Sequence, residues 1–328
     1  NILALQTKGL ITIAKTPADI VRAFAESRPA AILAMEGADF LGTNSAAQGV
    51  EHSGGKKGDY LADRLAEEAE SFIRKNSDNP FFLMLSHYAV HTPLQGKPGK
   101  VVNYEKIPEN KRQGKPAYAA MIESVDESVG RVTRVLRELG LEKSTLVIFT
   151  SDNGGFAGAT SNAPLRANKG SNYEGGIRVP AIVKWPKAGR RGVLSNVPII
   201  SMDFFPTILA ATGHALCPHQ HIDGVDLTPV LKKSGGLSRD AIYWHYPHYN
   251  RHPENFPAGV IRANNWKLLQ ELETGKLSLY DLADDIGETK NLANRYPEKV
   301  KSLLIKLKSW QKDVGADPMR PNPEYKDK

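Results

Sequence analysis

The chain has 328 residues, 41% apolar and 24% charged, which allows one large domain with an appended subdomain. Forty-three lysines and arginines against 36 acidic residues give a net charge of +7; this fits an anionic substrate or an acidic partner as well as scattered solvated lysines. No dense basic run interleaved with aromatics points to nucleic acid, no stretch of about 18 apolar residues could span a membrane, and the single cysteine, Cys217, has no partner for an internal disulfide. The chain starts at Asn1 rather than Met, as expected of a processed product or a fragment.

Residues 1–48 read as one block, a strand in "GLITIA", a short helix in "TPADIVRAFAES" and a second strand in "PAAILAMEGADFLG". Thr16 and Pro17 supply an N-cap and a first-turn proline, and Ile20, Val21 and Phe24 an apolar face. Residues 43–58, small and polar, form a loop or boundary. From Asp59, the spacing of Leu61, Leu65, Ala69, Phe72 and Ile73 predicts a helix ending before Asn79-Pro80, followed by a buried strand "FFLMLSH" over 81–87. Residues 117–140 carry Met121, Ile122, Val125, Val129, Val132, Leu136 and Leu139 at helical spacing, with Gly140 as the closing residue. A strand over 145–150 follows, and strand, long helix and strand suggest a right-handed crossover with parallel strands. Further on, "IRVPAIVKW" reads as a strand and "MDFFPTILAATG" as a helix closed by Gly213. From about 239, "AIYWHY", "GVIRANNWKLLQ" and "KLSLYDL" predict an antiparallel sheet with a turn at Glu273-Thr274-Gly275, before a last amphipathic helix over roughly 297–313.

Three stretches carry candidate chemistry. "SDNGG" follows the 145–150 strand, and in open α/β sheets ligands sit beyond the carboxyl ends of strands. Asp152 and Asn153 offer adjacent oxygen donors of the kind calcium takes, although Asx residues before glycine also make plain turns. The same "SDN" at 77–79 precedes its strand, so Asp78 is assigned to a turn at the opposite sheet edge. "HYAVHTPL" places His91 past the other strand, on the same rim as Asp152, where it could bind an anionic oxygen or pass a proton. "SNAPLRANKGSNYEGGIRVP" holds Lys169 as a cation for an ester oxygen or as a solvated loop lysine; Glu174, Arg178 and Gly175-Gly176 could brace its turn. A metal carboxylate, an imidazole and an ammonium suit sulfuryl or phosphoryl transfer, but no nucleophile accompanies them.

"PFFLMLSHYAVHTPLQ", "TLVIFTSDNGG", "PLRANKGSNYEGGIRVPAIVKWP" and the tail "RDAIYWHYPHY … GVIRANNWKLLQELETGKLSLYDLADDIGETKNLA" occur in that order, and together they resemble the sulfatase family, bacterial arylsulfatase type, over about 59–315. The resemblance implies an α/β alkaline-phosphatase-like fold, a mostly parallel sheet flanked by helices with a smaller carboxyl-terminal antiparallel sheet and helix. It implies hydrolysis of a small-molecule or saccharide sulfate ester and a periplasmic or secreted location. By it, Asp152 and Asn153 ligate Ca2+, and His91 and Lys169 hold the sulfate group. The domain expectation is a segment outside the resemblance (1–48), a partial α/β domain (49–238) and a carboxyl-terminal subdomain (239–328).

The sequence departs from the family in its first part. The paired aspartates that complete the metal site, the C/S-x-P-x-R segment that becomes formylglycine and a K-W-H-L-G-like segment are not found, and Cys217 in "CPHQH" has no x-Pro-x-Arg after it. Residues 1–48 are loosely similar to membrane-dipeptidase-type amidohydrolases, in which a glutamate like Glu36 bridges two metals; a divergent amino terminus or a linker are the other readings. The expectation is therefore a sulfatase inactive as this chain, with a weak or incomplete calcium site. The alternatives are a phosphoester or phosphonate hydrolase, for which Thr92 and Thr160 are poor nucleophiles, and a non-catalytic anion-binding protein. Trp244 and Tyr246, within the aromatic stretch 243–256, either line a pocket or pack an interface.

Overall fold

The computed structural model describes residues 12–14, 30–32, 58–189, 191–220, 222–320 and 322. It divides into two compact units, 1–142 and 143–328.

In the first unit, β1 (Thr12–Ala14) and β2 (Ala30–Ile32) pair in parallel. The helix expected between them, and Glu36, lie outside the described residues. Three helices follow: α1 (Leu61–Lys75), α2 (Pro98–Glu105) and α3 (Pro116–Glu138). The stripe that α1 buries is Ala62, Ala66, Ala69 and Ile73, and α3 buries Ala120, Met121, Ser124, Ser128, Val135 and Leu136. Alanines and serines at i, i+4 spacing let two helix backbones approach closely, so the smaller residues carry this contact while Leu61, Leu65 and Phe72 stay half-buried. Arg131 forks onto Glu70 at 3.1 and 2.6 Å, locking the pair from the side. Gly140, at φ +70°, closes α3 as expected, its N–H donating to Arg137 O at 3.0 Å.

The expected buried strand over 81–87 is not formed. The segment carries no ladder among the described residues, and its side chains alternate between half-buried and exposed, leaving Phe82 at 41% and Met84 at 53% exposure. The alternating exposure is that of an extended backbone, but such a segment becomes a strand only where a second backbone supplies the ladder. Asp78 lies in an exposed turn after α1, as read from its position.

In the second unit, β3 (Val147–Thr150) pairs antiparallel with β4 (Ala181–Lys184), not in a parallel crossover with 81–87. A one-turn helix α4 (Glu174–Ile177) precedes β4. Helices α5 (Phe204–Thr212), closed by Gly213 at φ +77°, and α6 (Thr228–Lys232) lead to a four-stranded antiparallel meander. Its strands are β5 (Ile242–Tyr246), β6 (Ala258–Ala263), β7 (Trp266–Glu271) and β8 (Leu277–Asp281), and α7 (Pro297–Asp313) follows.

Both faces of the meander are covered. Ala258, Val260, Leu269 and Tyr280 pack with Tyr173 on one face; Ile261, Leu268 and Leu279 pack with Leu303 and Leu307 of α7 on the other. Two covered faces explain why "GVI" and "KLL" are continuous runs instead of strict alternations. Trp244 packs against the first of these clusters, which favours the packing reading for this residue.

Leu307 is fully buried, and its removal leaves a cavity under the central strands. Leu307→Ala should destabilise the second unit by about 2–5 kcal/mol, read as a lower urea midpoint; a change under about 0.5 kcal/mol would show that α7 is not part of this core.

Candidate functional site

Past the end of β3 the chain bends at Asp152 and Asn153. The Asn153 side-chain amide donates to Asp152 Oδ2, and Ser151 Oγ donates to Asn153 O at 3.1 Å. Asp152 is exposed and Asn153 half-buried, so hard oxygen donors stand side by side at the surface of this unit.

The next glycine explains the motif. A Cβ on Gly154 would lie 1.8 Å from Gly175 O, and one on Gly175 2.1 Å from Ala167 O. Three backbone segments therefore meet where no side chain fits. Gly154 N donates to Gly176 O at 2.9 Å, Gly175 N to Arg166 O at 2.8 Å, and Lys169 N to Gly155 O at 3.0 Å. Asn162 Nδ2 bridges Gly155 O and Gly175 O at 3.1 and 2.8 Å. These bonds knit the Asp152-Asn153 bend and the half-buried Lys169 into one backbone knot.

The knot is anchored on the meander by buried charge. Glu174 is 1% exposed; its Oε1 lies 3.0 Å from Lys267 Nζ, and its Oε2 lies 3.4 Å from Arg262 Nη1 and 3.5 Å from Arg178 Nη1. Lys267, fully buried, also lies 2.8 Å from Glu288 Oε1, while Glu288 Oε2 accepts from the Glu174 N–H at 2.6 Å. Burial alone would raise the Glu174 carboxyl, but Lys267, Arg262 and Arg178 together outweigh it and hold it below the usual carboxylate range. Burial pushes Glu288 up, more than Lys267 brings it down. Glu174 and Arg178 thus brace the turn, as the sequence suggested. Lys267, Arg262, Glu288 and Asn162 were missed; the available signal was a lysine inside the apolar strand "WKLLQ", since a buried charge needs a partner.

The aromatic stretch contributes too. Asn250 Nδ2 and Asn255 Nδ2 both donate to Gly170 O, at 2.7 and 3.0 Å, beside Lys169. Cys217 is a free, half-buried thiol in a turn of this unit.

His91 belongs to the first unit. Its Nδ1–H donates to Thr92 O at 2.9 Å and its ring lies 5.6 Å from that of Tyr88. In the neutral ring this leaves Nε2 with the lone pair. His87 has both ring nitrogens buried without a partner, and burial pushes its imidazole down.

Knotted loops at a strand end are backed by a four-stranded antiparallel meander and a helix, and comparison with known proteins says which class of protein this is. The Sulfatase family matches residues 27–214, more than half of the chain, and "N-sulphoglucosamine sulphohydrolase, C-terminal" matches 167–313. The chain belongs to the Sulfatase family, whose members are sulfuric ester hydrolases of the alkaline-phosphatase-like fold. The match begins within the block 1–48 that the motifs left apart.

A sulfatase of Formosa agariphila is 34% identical over 277 residues, covering 76% of this chain and 50% of that protein. The steryl-sulfatase of Mus musculus is 39% identical over 195 residues, covering 57% of this chain and 30% of that protein. This chain thus spans half, or less, of the length of these relatives. Ps i-CgsB, solved in complex with k-i-k-neocarrahexaose, superposes with a TM-score of 0.68 at 31% identity, over 78% of this chain and 56% of that one.

Family members use calcium, and the donor chemistry of Asp152 and Asn153 suits it in part: two adjacent residues with hard oxygens, against the six to eight ligands calcium takes. Among the described residues no group of three or more His, Cys, Asp or Glu converges.

Lys267 is the residue on which the knot's anchorage turns. Lys267→Met should destabilise the second unit by about 3–5 kcal/mol, because two buried carboxylates lose their shared cation. A double-mutant cycle with Glu174→Gln, measured by urea unfolding, should return a coupling of about 0.5–3 kcal/mol; a coupling near zero would show that the ion pair does not anchor the turn.

Proposed function

We propose that this chain carries the charge-stabilising part of a sulfatase centre and binds a sulfate ester, saccharide or small-molecule, without turning it over. The observation that carries this is the knot joining Lys169 to Asp152-Asn153 in a chain of the Sulfatase family. Lys169 supplies a compact ammonium for a non-bridging sulfate oxygen, and its backbone is fixed before any ligand arrives. His91 is assigned the second sulfate contact; with Nδ1–H committed to Thr92 O, its Nε2 would donate to an anionic oxygen once protonated. Asp152 and Asn153 would hold calcium, which supplies positive charge to the transferring group. With so few protein donors, water completes that shell and affinity is low.

Turnover needs a nucleophile that divides the reaction into two easier steps. The family's formylglycine arises in a C/S-x-P-x-R segment, and Cys217 sits in "CPHQH". Charge stabilisation alone leaves roughly 10³ to 10⁴-fold over water in hydrolases stripped of their triad; on a slow sulfate ester that is invisible in an ordinary assay.

The test is incubation with an aryl sulfate and an aryl phosphate, with and without calcium, after coexpression with a formylglycine-generating enzyme. No hydrolysis of either is expected. Aryl sulfate hydrolysis abolished by Lys169→Ala would overturn the non-catalytic reading, and aryl phosphate hydrolysis would favour a phosphoester hydrolase. Calorimetric titration should show calcium binding much weaker than in a complete sulfatase; tight stoichiometric binding would mean that further residues contribute ligands.

A further inference from the structure

The stretch 247–255 does more than support Lys169. Gly170 stands at φ +95°, and a Cβ there would lie 3.2 Å from His252 Cβ and 3.3 Å from the Asn250 amide. Residue 170 is bare on the side where His252 arrives. Asn250 and Asn255 tie this loop to Gly170 O, and the loop is internally fixed: Asn250 N donates to Asn255 Oδ1 at 3.0 Å, His252 N to Asn250 Oδ1 at 2.8 Å, and Asn255 N to His252 O at 3.0 Å. Ser171 Oγ donates to Glu254 O at 3.4 Å, and Arg166 Nε to Glu254 Oε2 at 2.9 Å, so both sides of Lys169 are bound to the same loop.

The imidazole of His252 is set by this arrangement. Its Nδ1 accepts the Glu254 N–H at 3.0 Å, so Nδ1 carries no proton and the ring proton sits on Nε2. A half-buried ring with one nitrogen used inside the loop presents a fixed N–H donor with the other. His252 Cβ packs against Gly170, the residue after Lys169, so an imidazole N–H and an ammonium are carried on adjoining backbone and can divide labour. The ammonium takes the sulfate, and the imidazole N–H suits a neutral hydroxyl or ring oxygen of the alcohol to which the sulfate is esterified.

We infer that His252 is a specificity-determining residue that contacts the sugar part of a sulfated saccharide held at Lys169; this rests on the sulfate-binding reading above. A site that hydrogen-bonds a substrate hydroxyl discriminates strongly against analogues that lack it.

Calorimetry on the full chain with calcium present tests this, using inorganic sulfate, D-galactose 4-sulfate and D-glucosamine 6-sulfate as ligands. The wild type should bind at least one sulfated sugar more tightly than inorganic sulfate. His252→Ala should weaken that sugar by about five- to tenfold, the scale of one neutral hydrogen bond, and leave inorganic sulfate unchanged. His252→Gln, which restores an amide donor near the Nε2 position, should stay within about threefold of wild type. Lys169→Ala should weaken all ligands alike. A His252→Ala variant that binds the sugar as the wild type does, or a wild type that prefers neither sugar to inorganic sulfate, overturns the inference and leaves the Lys169 reading standing. A wild type that binds no ligand overturns both.

Discussion

Arg262 and Lys267 sit directly opposite each other on neighbouring strands β6 and β7, and both face Glu174. Like charges in that position repel, and burying them raises the cost. Burial pushes the Arg262 guanidinium down, and Lys267 has no exposed surface. Such a sheet face is stable only if an anion reaches it from another part of the chain, and Glu174 is that anion, with Glu288 closing the other side of Lys267. The turn carrying Glu174 has one place to dock. Everything it carries is fixed with it.

What it carries is the Gly175-Gly176 pair, against which Gly154 packs and through which the Asp152-Asn153 bend and the Lys169 loop are bonded. Functional side chains on loops need a rigid scaffold behind them, and here the scaffold is a sheet buried on both faces. Arg166 adds to it by stacking 3.8 Å over the Tyr173 ring and donating to Glu288 O at 3.1 Å. The interactions are layered: apolar burial forms the meander, the ion pairs choose which turn covers it, and hydrogen bonds too short-ranged to act alone set the positions of the polar ends.

Much of this was legible from residues alone because periodicity and closing residues act locally. The helices α1, α3, α5 and α7, the glycine stops at Gly140 and Gly213 and the antiparallel sheet follow from spacing and turn chemistry within about 20 residues, although "GVIRANNWKLLQ" was read as one stretch and the turn at Asn264-Asn265 divides it into β6 and β7. The turn at Asp78 was legible from its place between a helix and an apolar run. The segment 81–87 was misjudged because "FFLML" encodes an extended backbone, whereas pairing is a property of two segments. For the same reason, β4 as the antiparallel neighbour of β3 could not be read from "AIVK".

The sequence by itself determined the family, the helix and strand inventory of the carboxyl-terminal half, and the residue types available for chemistry: a carboxylate beside an amide, a loop lysine, a histidine after an apolar run. Only the tertiary structure decided that Lys267 and Glu174, 93 residues apart, form one buried pair, and that Asn250 and Asn255 close on Gly170. Local patterns report what each segment prefers in water. Charges taken out of water must find partners wherever the fold brings them, and that distance is not written in the spacing of the chain.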